Sequence, residues 1–352
     1  MRVQLVDPSA DVLPYDHALA AALARQDASV ELVTSRFVHG PAPVPDGFEV
    51  RESFYPLATR LGARRPALRR MLKGAEHLPG MVGVRRRHAD LTHWQWIWLE
   101  ALTAPLLPRD RPQVLTMHNV IRRARSAHRL LDAMDAVIVH TRRGAELLGG
   151  GPRVHVIPHG AFDHLTHLED ERPLPPELAA VEGQVVLCFG VVRPYKGVDV
   201  LLEAWRSIEG AELWIVGRPL GVQLHPAPGV RILPRYVSDA ELPAYFRRAD
   251  LVVLPHKTVD VSGVLFAGLA FGKPMLLSDV GGFREIVEEH GTGRLTPPGD
   301  APALASAIGA LLDDPAERER LAGRARAAAA GAYSWDSIAK RTLEVYREVL
   351  SA

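Results

Sequence analysis

The segment from Leu251 to Gly282 constrains the fold of this chain more than any other part of the sequence. An apolar run ends at a proline and a polar loop follows. A helix of small residues then opens at Ser262 and Gly263, before a Gly-Lys-Pro break and a second apolar run. Strand, loop, helix and strand in this order form one unit of a parallel α/β sheet. Ligands bind such sheets beyond the carboxyl ends of the strands, where a helix N-terminus offers free N–H groups to an anion. The segment therefore predicts an anion-binding loop in a doubly wound sheet.

Length and composition narrow the class of protein. The chain has 352 residues, which is too long for one ordinary hydrophobic core, so we expect two domains. It has 42 basic and 41 acidic residues, and this balance argues against a polyelectrolyte partner for the whole protein. The single cysteine, Cys188, cannot form an internal disulfide, which favours a reducing compartment. The N-terminus lacks the pattern of a secretion signal, and no apolar run reaches membrane-spanning length. We therefore expect a cytoplasmic protein.

Apolar runs of strand length alternate with helical stretches along the whole chain, which is typical of doubly wound α/β proteins. In the first half the predicted strands are Arg2–Asp7, Val30–Ser35, Leu91–Ile97, Val114–His118, Ala136–His140 and Val154–Pro158. In the second half they are Val185–Gly190, Leu213–Gly217, Arg231–Pro234, Leu251–Pro255 and Met275–Ser278. We expect a helix from Asp16 to Arg25 that is capped by Asp16, and a last helix that begins near Ser334.

The two series of strands predict two Rossmann-like domains in tandem. Residues 1–165 would form the first domain and residues 185–334 the second. The segment between them, residues 166–184, is charged, contains prolines and shows no strand periodicity. We therefore predict that it is a linker between the domains.

The loop that follows the predicted strand at 185–190 carries two cations, Arg193 and Lys196. A strand-to-helix turn with two cations can hold a diphosphate, because arginine offers a planar fork and lysine a mobile point charge. The alternative is that both side chains are solvated loop residues. Their position at the ligand end of the sheet favours diphosphate binding.

Segments of both halves resemble family 4 glycosyltransferases. In the second half these segments are, in the family's order, Phe189–Gly197, Leu213–Pro219, Tyr236–Pro255, Ser262–Pro274 and Asp279–Val287. In the first half they are Leu115–Asn119, Ala136–Thr141 and Val154–Gly160. The resemblance implies the GT-B fold, an α/β architecture in which two Rossmann-like doubly wound domains face each other across a cleft. It also implies that a C-terminal helix, residues 335–352, crosses back to the N-terminal domain.

Carried over residue by residue, the resemblance assigns a donor diphosphate site to the second domain. It implies that Arg193 and Lys196 neutralise the diphosphate, helped by the backbone at Ser262, Gly263 and Val264. The arginine lies two residues later than is usual in the family, which has it directly after the glycine.

The resemblance also implies contacts to the rest of the donor. His118, in a Thr-x-His pattern, would approach the donor sugar and act in catalysis with Arg193 and Lys196. Gly217 and Val237 would contact the nucleobase and ribose. The alternative for His118 is a histidine whose hydrogen bonds are satisfied at a strand end.

Two departures from the family pattern affect the predicted site. The family usually has two glutamates eight positions apart, and this chain has Val259 and Ala267 there, whose side chains accept no hydrogen bond. Asp260 would take over the sugar contact or be a solvated loop acid. The first domain also lacks the Gly-Gly common in the family, and Tyr15 and Asp16 at that place are expected on the acceptor side.

These observations predict a glycosyltransferase that moves a sugar from a nucleoside-diphosphate sugar to the hydroxyl of an unknown acceptor. By resemblance the enzyme retains the anomeric configuration and needs no metal and no cofactor besides the donor. The chain has no D-x-D sequence and no G-x-G-x-x-G after its first strand, which argues against a metal-chelating donor site and a dinucleotide dehydrogenase. Val259 and Ala267 motivate one alternative, a glycosyltransferase-like binding or partner protein without turnover. A sugar-nucleotide epimerase of the same fold is the other.

Cations interleave with apolar residues from Arg60 to His88, where Glu76 is the only acid. The cations are Arg60, Arg64, Arg65, Arg69, Arg70, Lys73, Arg85, Arg86 and Arg87. A second basic stretch contains Arg122, Arg123, Arg125 and Arg129. A basic amphipathic segment can lie on an anionic membrane, here at its inner face, or grip an acidic acceptor; the alternative is a solvated helical face. No aromatic residues accompany these cations, which disfavours a nucleic acid partner.

Overall fold

The computed structural model describes residues 1–38, 42–61, 65–98, 100–120 and 128–352, except the side chains of residues 101, 128 and 129. The chain divides into two compact units, one made of Met1–Pro158 with Trp335–Ala352 and the other of His159–Ser334. Some arginines of the two predicted basic stretches lie outside the described residues, namely Arg64, Arg122, Arg123 and Arg125, together with the side chain of Arg129.

The described part of the first unit holds a parallel sheet of seven strands. They are β1 (Arg2–Asp7), β2 (Ser29–Ser35), β3 (Glu49–Phe54), β4 (Leu91–Trp94), β5 (Gln113–Met117), β6 (Ala136–Val139) and β7 (Val154–Val156). Their order across the sheet is β3-β2-β1-β4-β5-β6-β7. The order reverses between β1 and β4, which is where a doubly wound sheet opens a crevice.

The second unit holds a parallel sheet of six strands. They are β8 (Gln184–Phe189), β9 (Ala211–Val216), β10 (Val230–Leu233), β11 (Leu251–Leu254), β12 (Met275–Ser278) and β13 (Gly293–Thr296). Their order is β10-β9-β8-β11-β12-β13, and it reverses between β8 and β11. The predicted α/β class and the doubly wound organisation are therefore confirmed in both units.

Helices connect the strands, as parallel pairing requires. In the described residues of the first unit they are α1 (Leu13–Ala24), α2 (Pro66–Arg85), α3 (Glu100–Thr103), α4 (His128–Leu131) and α5 (Arg142–Leu147). In the second unit they are α6 (Pro176–Ala179), α7 (Val198–Trp205), α8 (Leu242–Arg248), α9 (Gly263–Ala270), α10 (Gly282–His290), α11 (Ala301–Asp313) and α12 (Pro315–Ala330). The chain then returns to the first unit through α13 (Trp335–Ser351).

Both faces of the first sheet are buried under helices. Leu5 and Leu32 pack in one apolar cluster with α1 and α13, while Val6 and Val33 pack in a second cluster with α2. Successive side chains of a strand point to opposite faces, so these pairs divide between the two clusters. A strand buried on both faces is apolar throughout, which is why the sequence showed continuous apolar runs rather than alternation.

Two strands were not predicted from the sequence. Four of the six residues of β3 are exposed, and its sequence is EVRESF, which lacks an apolar run. β13 has only four residues, and Arg294 at its second position is exposed. Both strands lie at the edges of their sheets, where burial on both faces does not select apolar residues.

Helix α1 begins three residues earlier than we predicted, at Leu13, and Asp16 does not cap it. Val12 occupies the N-cap position and makes no side-chain cap, while Pro14 lies in the first turn, where its missing N–H costs nothing. Asp16 lies inside the helix and is fully buried. An aspartate before a helix is a cap only if its side chain can turn back to the backbone, and here it faces the sheet instead.

The segment before β8 belongs to the second unit. The division between the units falls at Pro158, seven residues before the end of our first predicted domain at residue 165. Residues 166–184, predicted as a linker, contain helix α6, and Leu178 of that helix is buried in the second unit's core. In the parts of the chain that the structure describes, no helix combines the length and apolar character needed to cross a membrane.

Candidate functional site

The candidate site lies in the second unit, where the strand order reverses between β8 and β11. These two strands pair in parallel, so the loops that follow them, residues 190–197 and 255–262, leave the same edge of the sheet side by side. Ligands of open α/β sheets bind at this position. The segment Leu251–Gly282 and the loop with the two predicted cations therefore meet at this edge of the sheet.

Glycines allow the backbones of these loops to approach each other closely. A Cβ on Gly197 would lie 1.9 Å from the carbonyl oxygen of Pro255, and Gly197 has a φ of +67°. A Cβ on Gly217, at the end of β9, would lie 2.1 Å from the carbonyl oxygen of Gly190. No side chain fits at such distances, so three loops converge because two positions carry glycine.

Lys196 is a buried cation that has no acidic partner among the residues that the structure describes. It is 8% exposed, and Nζ donates one long hydrogen bond, 3.4 Å, to the carbonyl oxygen of Phe189. Within the described residues it forms no ion pair with a carboxylate, and neither does Arg193, which is half-buried. Burial lowers the pKa of the Lys196 ammonium, and the nearby positive charge of Arg193 adds to the lowering. A bound anion would offset both effects, because it supplies the missing opposite charge.

The first turn of α9 lies beside this ammonium. A Cβ placed on Gly190 would be 3.1 Å from Nζ of Lys196 and 3.1 Å from Cγ2 of Val264, so both border the same small space. Ser262 is the N-cap residue and its side chain makes no cap hydrogen bond; Gly263 follows as the first helical residue. Backbone N–H groups at a helix start and a buried lysine together form a site suited to a phosphate group. The structure thus brings Lys196 together with the predicted helix start.

The loop after β11 is held in place by the Gly-Gly pair at the start of α10. A Cβ on Gly281 would lie 1.8 Å from the carbonyl oxygen of Val259, and the N–H of Gly282 donates to the carbonyl oxygen of Asp260 at 2.9 Å. The N–H of Lys257 donates to the carbonyl oxygen of Tyr195 at 2.8 Å, which ties this loop to the cation-bearing one. These contacts hold the loop after β11 against the start of α10 and against the cation-bearing loop.

The structure places apolar groups where the family usually has glutamates. Ala267 is 2% exposed and belongs to the second unit's core, and Val259 is half-buried and packs against the same core. Asp260 is half-buried, one residue further along the loop. The neighbourhood of Ala267 is thus apolar, and a carboxylate there would lack the solvation that a charged group needs.

The two predicted nucleoside contacts differ in what they present. Gly217 is buried and its N–H donates to the carbonyl oxygen of Leu233 at 3.0 Å. Val237 is 9% exposed, and its side chain packs in the core with Tyr245. Any contact of Val237 with a nucleotide would therefore involve its backbone more than its side chain.

His256 borders this site and was missed by the sequence reasoning. It directly follows Pro255, is 1% exposed and packs its ring 5.2 Å from the ring of Phe283. Burial lowers its pKa to about 3, and the charge of Lys196 contributes to the lowering, so the imidazole is neutral. The sequence pattern that could have identified it is a histidine directly after the proline that ends an apolar strand.

In the first unit, His118 lies just beyond β5 in a hydrogen-bonded row. Its Nδ1 is 3.0 Å from Nε2 of His140, and its Nε2 is 3.3 Å from Oε1 of Gln95. The ring of Tyr15 meets the His118 ring edge-on, with centroids 4.7 Å apart. His118 is half-buried, and both of its ring nitrogens have partners in its own unit.

Tyr15 and Asp16, expected on the acceptor side, are buried in the structure. Tyr15 is 4% exposed and lies between the rings of His118 and Trp335, and Asp16 is fully buried. Burial, together with the neighbouring charge of Asp7, raises the pKa of Asp16 well above its usual range. Burial also raises the pKa of Asp7 to about 6. Tyr15 and Asp16 thus belong to the core near the end of β1, and their side chains present no surface to an acceptor.

Among the residues that the structure describes, no group of three or more His, Cys, Asp or Glu side chains is arranged to hold a metal ion.

Comparison with known proteins agrees with the geometry of the second unit. Residues 183–314, which include β8, both loops and α9, match the sequence family described as "Glycosyl transferases group 1". A D-inositol 3-phosphate glycosyltransferase from Kineococcus radiotolerans is 28% identical over 94% of this chain and 89% of that protein. Residues 183–314 of the second unit thus form a group 1 glycosyl transferase domain.

Solved structures extend the likeness of this glycosyltransferase to the whole chain. A sucrose-phosphate synthase from Thermosynechococcus elongatus superposes with a TM-score of 0.76 at 20% identity, covering 100% of this chain and 99% of that one. Anabaena HepE in complex with UDP-glucose superposes with a TM-score of 0.71 at 20% identity, over 99% of this chain and 100% of that one. The predicted GT-B fold with its two Rossmann-like units is confirmed, and the sequence relatives identify the chain as a glycosyltransferase.

Proposed function

We propose that this glycosyltransferase transfers a sugar from a nucleoside-diphosphate sugar to an acceptor hydroxyl, with retention of configuration and without a metal. The observation that carries the proposal is the buried Lys196 ammonium, which has no acidic partner among the described residues and lies beside the start of α9. A buried cation of this kind is costly unless an anion joins it. A diphosphate supplies that anion at the position where open α/β sheets bind ligands.

The chemistry follows from charge placement. The bond between the anomeric carbon and the diphosphate oxygen breaks, and a bond from the acceptor oxygen to that carbon forms. Negative charge develops on the leaving diphosphate, where Lys196, Arg193 and the N–H groups of α9 stabilise it; such preorganised groups often make the largest contribution to catalysis. The acceptor proton passes to a phosphate oxygen of the leaving group. The two cations take the charge-neutralising role that a metal has in other enzymes.

Recognition of the donor would depend on the diphosphate more than on the ribose. Ala267 and Val259 offer no side-chain acceptor to ribose or sugar hydroxyls, and a missing hydrogen bond to a charged group weakens binding by about 1.5–3 kcal/mol. Asp260, the residue after Val259, is the carboxylate that we propose for the sugar contact, and the predicted donor-sugar role of His118 is retained in the proposal. We therefore expect a 2′-deoxynucleoside diphosphate to bind with an affinity similar to that of the ribonucleoside diphosphate.

The donor and acceptor classes are suggested by the named relatives. HepE was solved with UDP-glucose, and the Kineococcus relative is named for D-inositol 3-phosphate as acceptor. We propose a nucleotide-activated hexose as donor and a hydroxyl of an inositol phosphate, free or lipid-linked, as acceptor. A cytoplasmic location suits such donors.

The activity can be tested by incubating the purified protein with nucleotide sugars that differ in base and sugar, each with and without inositol phosphates. We expect nucleoside diphosphate release that depends on the acceptor and is unchanged by EDTA, and a product whose anomeric configuration matches that of the donor by NMR. Donor binding without release for any acceptor would support the binding-protein alternative. Interconversion of the donor without an acceptor would support the epimerase alternative.

We also propose that α2 contacts an anionic membrane, because the helix is amphipathic on its exposed side. Three apolar residues that are three and seven positions apart form a stripe: Leu68 is 37%, Met71 73% and Leu78 54% exposed. Arg70 and Arg85 are exposed on the same helix. Exposed apolar side chains flanked by cations are typical of helices that lie in a membrane interface.

The one acidic residue of α2, Glu76, does not neutralise the cations beside the apolar stripe. Glu76 accepts hydrogen bonds from the N–H groups of Leu57 and Ala58, at 2.8 Å and 3.0 Å. Its carboxylate thus holds the segment before α2 in place. The arrangement supports a contact with the inner face of a membrane, where a lipid-linked acceptor would be found.

A further inference from the structure

Two histidines and one glutamine of the first unit form a hydrogen-bonded row that ends on a backbone carbonyl. Nδ1 of His140 lies 3.0 Å from the carbonyl oxygen of Ile157, and Nε2 of His140 lies 3.0 Å from Nδ1 of His118. Nε2 of His118 lies 3.3 Å from Oε1 of Gln95, an amide whose oxygen and nitrogen exchange places when it rotates. The direction of each hydrogen bond in such a row is determined by its fixed end.

The fixed end is the carbonyl oxygen of Ile157, which can only accept. His140 must therefore carry a proton on Nδ1 and donate it. His140 is 7% exposed, and burial lowers its pKa to about 4, so it is neutral and its Nε2 carries only a lone pair. That lone pair can accept only if His118 donates, which places a proton on Nδ1 of His118. The tautomer of His118 thus follows from its neighbours.

We propose that His140 is a positioning residue that holds the proton of neutral His118 on Nδ1, so that Nε2 of His118 is a hydrogen-bond acceptor. Gln95 adapts to the proton content of His118 by rotating its amide. Its NH₂ group donates to Nε2 when that nitrogen is bare, and its Oε1 accepts when Nε2 is protonated. The second proton of an imidazolium therefore enters at Nε2.

The ring of His118 is also fixed in orientation. Tyr15 packs edge-on against it, and the ring of His140 lies 4.9 Å away, centroid to centroid. Tyr15 is itself packed against Trp335 at 5.1 Å, so the aromatic neighbour is supported by α13. A ring held on two sides and hydrogen-bonded at Nδ1 presents Nε2 in one direction.

This inference rests on the proposed function in one respect, the donor-sugar role of His118. With its proton on Nδ1, His118 would accept a hydrogen bond from a sugar hydroxyl at Nε2 in exchange for Gln95. Hydroxyl groups donate one proton, so the tautomer selects a donor sugar that offers an O–H and not a bare acceptor at this place. A histidine with its proton on Nε2 would instead select a sugar group that accepts a hydrogen bond at this place.

The test is long-range ¹H–¹⁵N NMR on protein labelled with ¹⁵N-histidine, recorded near pH 8, about 1.5 units above the pKa of an unperturbed histidine. His118 is assigned from the spectrum of His118→Asn. We expect Nδ1 of His118 to be the protonated nitrogen in the wild type. A wild-type His118 with its proton on Nε2 overturns the proposal without any further variant.

Variants at residue 140 separate positioning from packing. His140→Gln offers an amide oxygen where Nε2 lies, and we expect it to keep the proton of His118 on Nδ1. His140→Phe fills the space without an acceptor, and we expect the His118 proton to redistribute to Nε2. His88→Gln, at an exposed histidine of the same unit, is the matched control. An unchanged tautomer in folded His140→Phe overturns the positioning role.

Kinetics then separate this inference from the proposed function. We expect His140→Phe to raise the donor KM by about 3–10-fold, the value of one hydrogen bond, with a smaller change in kcat, and His140→Gln to restore it. A tautomer that shifts while the donor KM stays constant would overturn the donor-sugar role of His118 and sustain the tautomer assignment. If His140→Phe is unfolded, Gln95→Leu tests the same row from its other end. We expect the proton of His118 to stay on Nδ1 in this variant, because His140 holds it there; a proton that moves to Nε2 overturns the proposal.

Discussion

The hydroxyl of Tyr346 on α13 lies 2.6 Å from Nδ1 of His93 on β4, although the two residues are 253 positions apart in the sequence. Both side chains are fully buried, and Nε2 of His93 lies 2.7 Å from Oγ1 of Thr116 on β5. Burial lowers the pKa of His93 to about 3, so the ring is neutral and each nitrogen needs a partner of the right kind. This contact fixes the last helix onto the first sheet.

Removing the Tyr346 hydroxyl is expected to destabilise the first unit. Tyr346→Phe leaves Nδ1 of His93 buried without its short hydrogen bond, at a cost of about 1–3 kcal/mol in the free energy of unfolding. Urea denaturation measures the change. Tyr236→Phe, at a tyrosine that is 54% exposed, is the control and is expected to change stability by less than about 0.5 kcal/mol. Equal effects of the two substitutions would contradict this account.

Replacing Lys196 by methionine is expected to reduce activity without reducing stability. The substitution keeps the side-chain length and removes a buried charge that pairs with no acid of the described residues, so the free energy of unfolding should stay constant or rise. Loss of a preorganised donor to the leaving diphosphate should lower kcat by about 10²–10³-fold. Steady-state kinetics and urea denaturation are the measurements. Lys340→Met, at an exposed lysine of α13, serves as the control; full activity of Lys196→Met would refute the role of this lysine.

The loop after β11 is expected to depend on Gly281. Alanine there would place a Cβ 1.8 Å from the carbonyl oxygen of Val259, at a φ of +55°. We expect Gly281→Ala to lower the free energy of unfolding by about 2–3 kcal/mol and to weaken donor binding, because the loop must move. Gly299 has a similar φ of +79° with no atom within 4 Å of a Cβ, so Gly299→Ala isolates the backbone strain of about 1–2 kcal/mol. Calorimetry of both variants measures whether the contact with Val259 destabilises the protein beyond the backbone strain. Equal losses of stability would show that it does not.

The buried carboxyl pair Asp7 and Asp16 predicts a pH dependence of stability. Both pKa values are raised, that of Asp7 from 3.8 to about 6, so the folded protein holds protons that the unfolded chain releases. Their stabilising effect is therefore complete below the unfolded pKa, near pH 4, and is lost as the pH rises through the folded value. Relative to Asp7→Asn, wild-type stability should fall by roughly 2–3 kcal/mol between pH 4 and 7, because Asp7 accounts for that part of the pH dependence. Parallel stability curves for the two proteins would show that the pair does not titrate in this way.

Membrane contact by α2 is expected to depend on its apolar stripe and on its arginines. Met71→Ser with Leu78→Ser removes two exposed apolar side chains, which should weaken binding to anionic vesicles by about tenfold or more. Arg70→Glu with Arg85→Glu should weaken it further, since each cation near the surface contributes about 1 kcal/mol. Vesicle sedimentation measures both effects, and Leu350→Ser, on α13, is the control. Wild-type protein that does not sediment with anionic vesicles would exclude this contact.

Some parts of the candidate site could be predicted from the sequence because they depend on local patterns. The strand ends at Phe189 and Leu254, the cations of the following loop and the helix start after Ser262 all follow from runs of residue types. The family resemblance then assigned roles to them. His256 escaped this reasoning because its burial beside Lys196 depends on two loops that are about 60 residues apart and meet only in the folded sheet.

By itself the sequence determined the α/β class and the two series of strands, and it predicted where an anion would bind. It did so because parallel strands buried on both faces require continuous apolar runs, and because glycine, proline and small residues mark the turns between them. Only the tertiary structure decided which charges are compensated and which are not. It showed Lys196 buried with no acid beside it in the described part of the chain, Asp16 turned into the core instead of capping α1, and His118 bonded to His140 and Gln95. Burial and hydrogen-bond partners come from segments distant in sequence, and no local pattern encodes them.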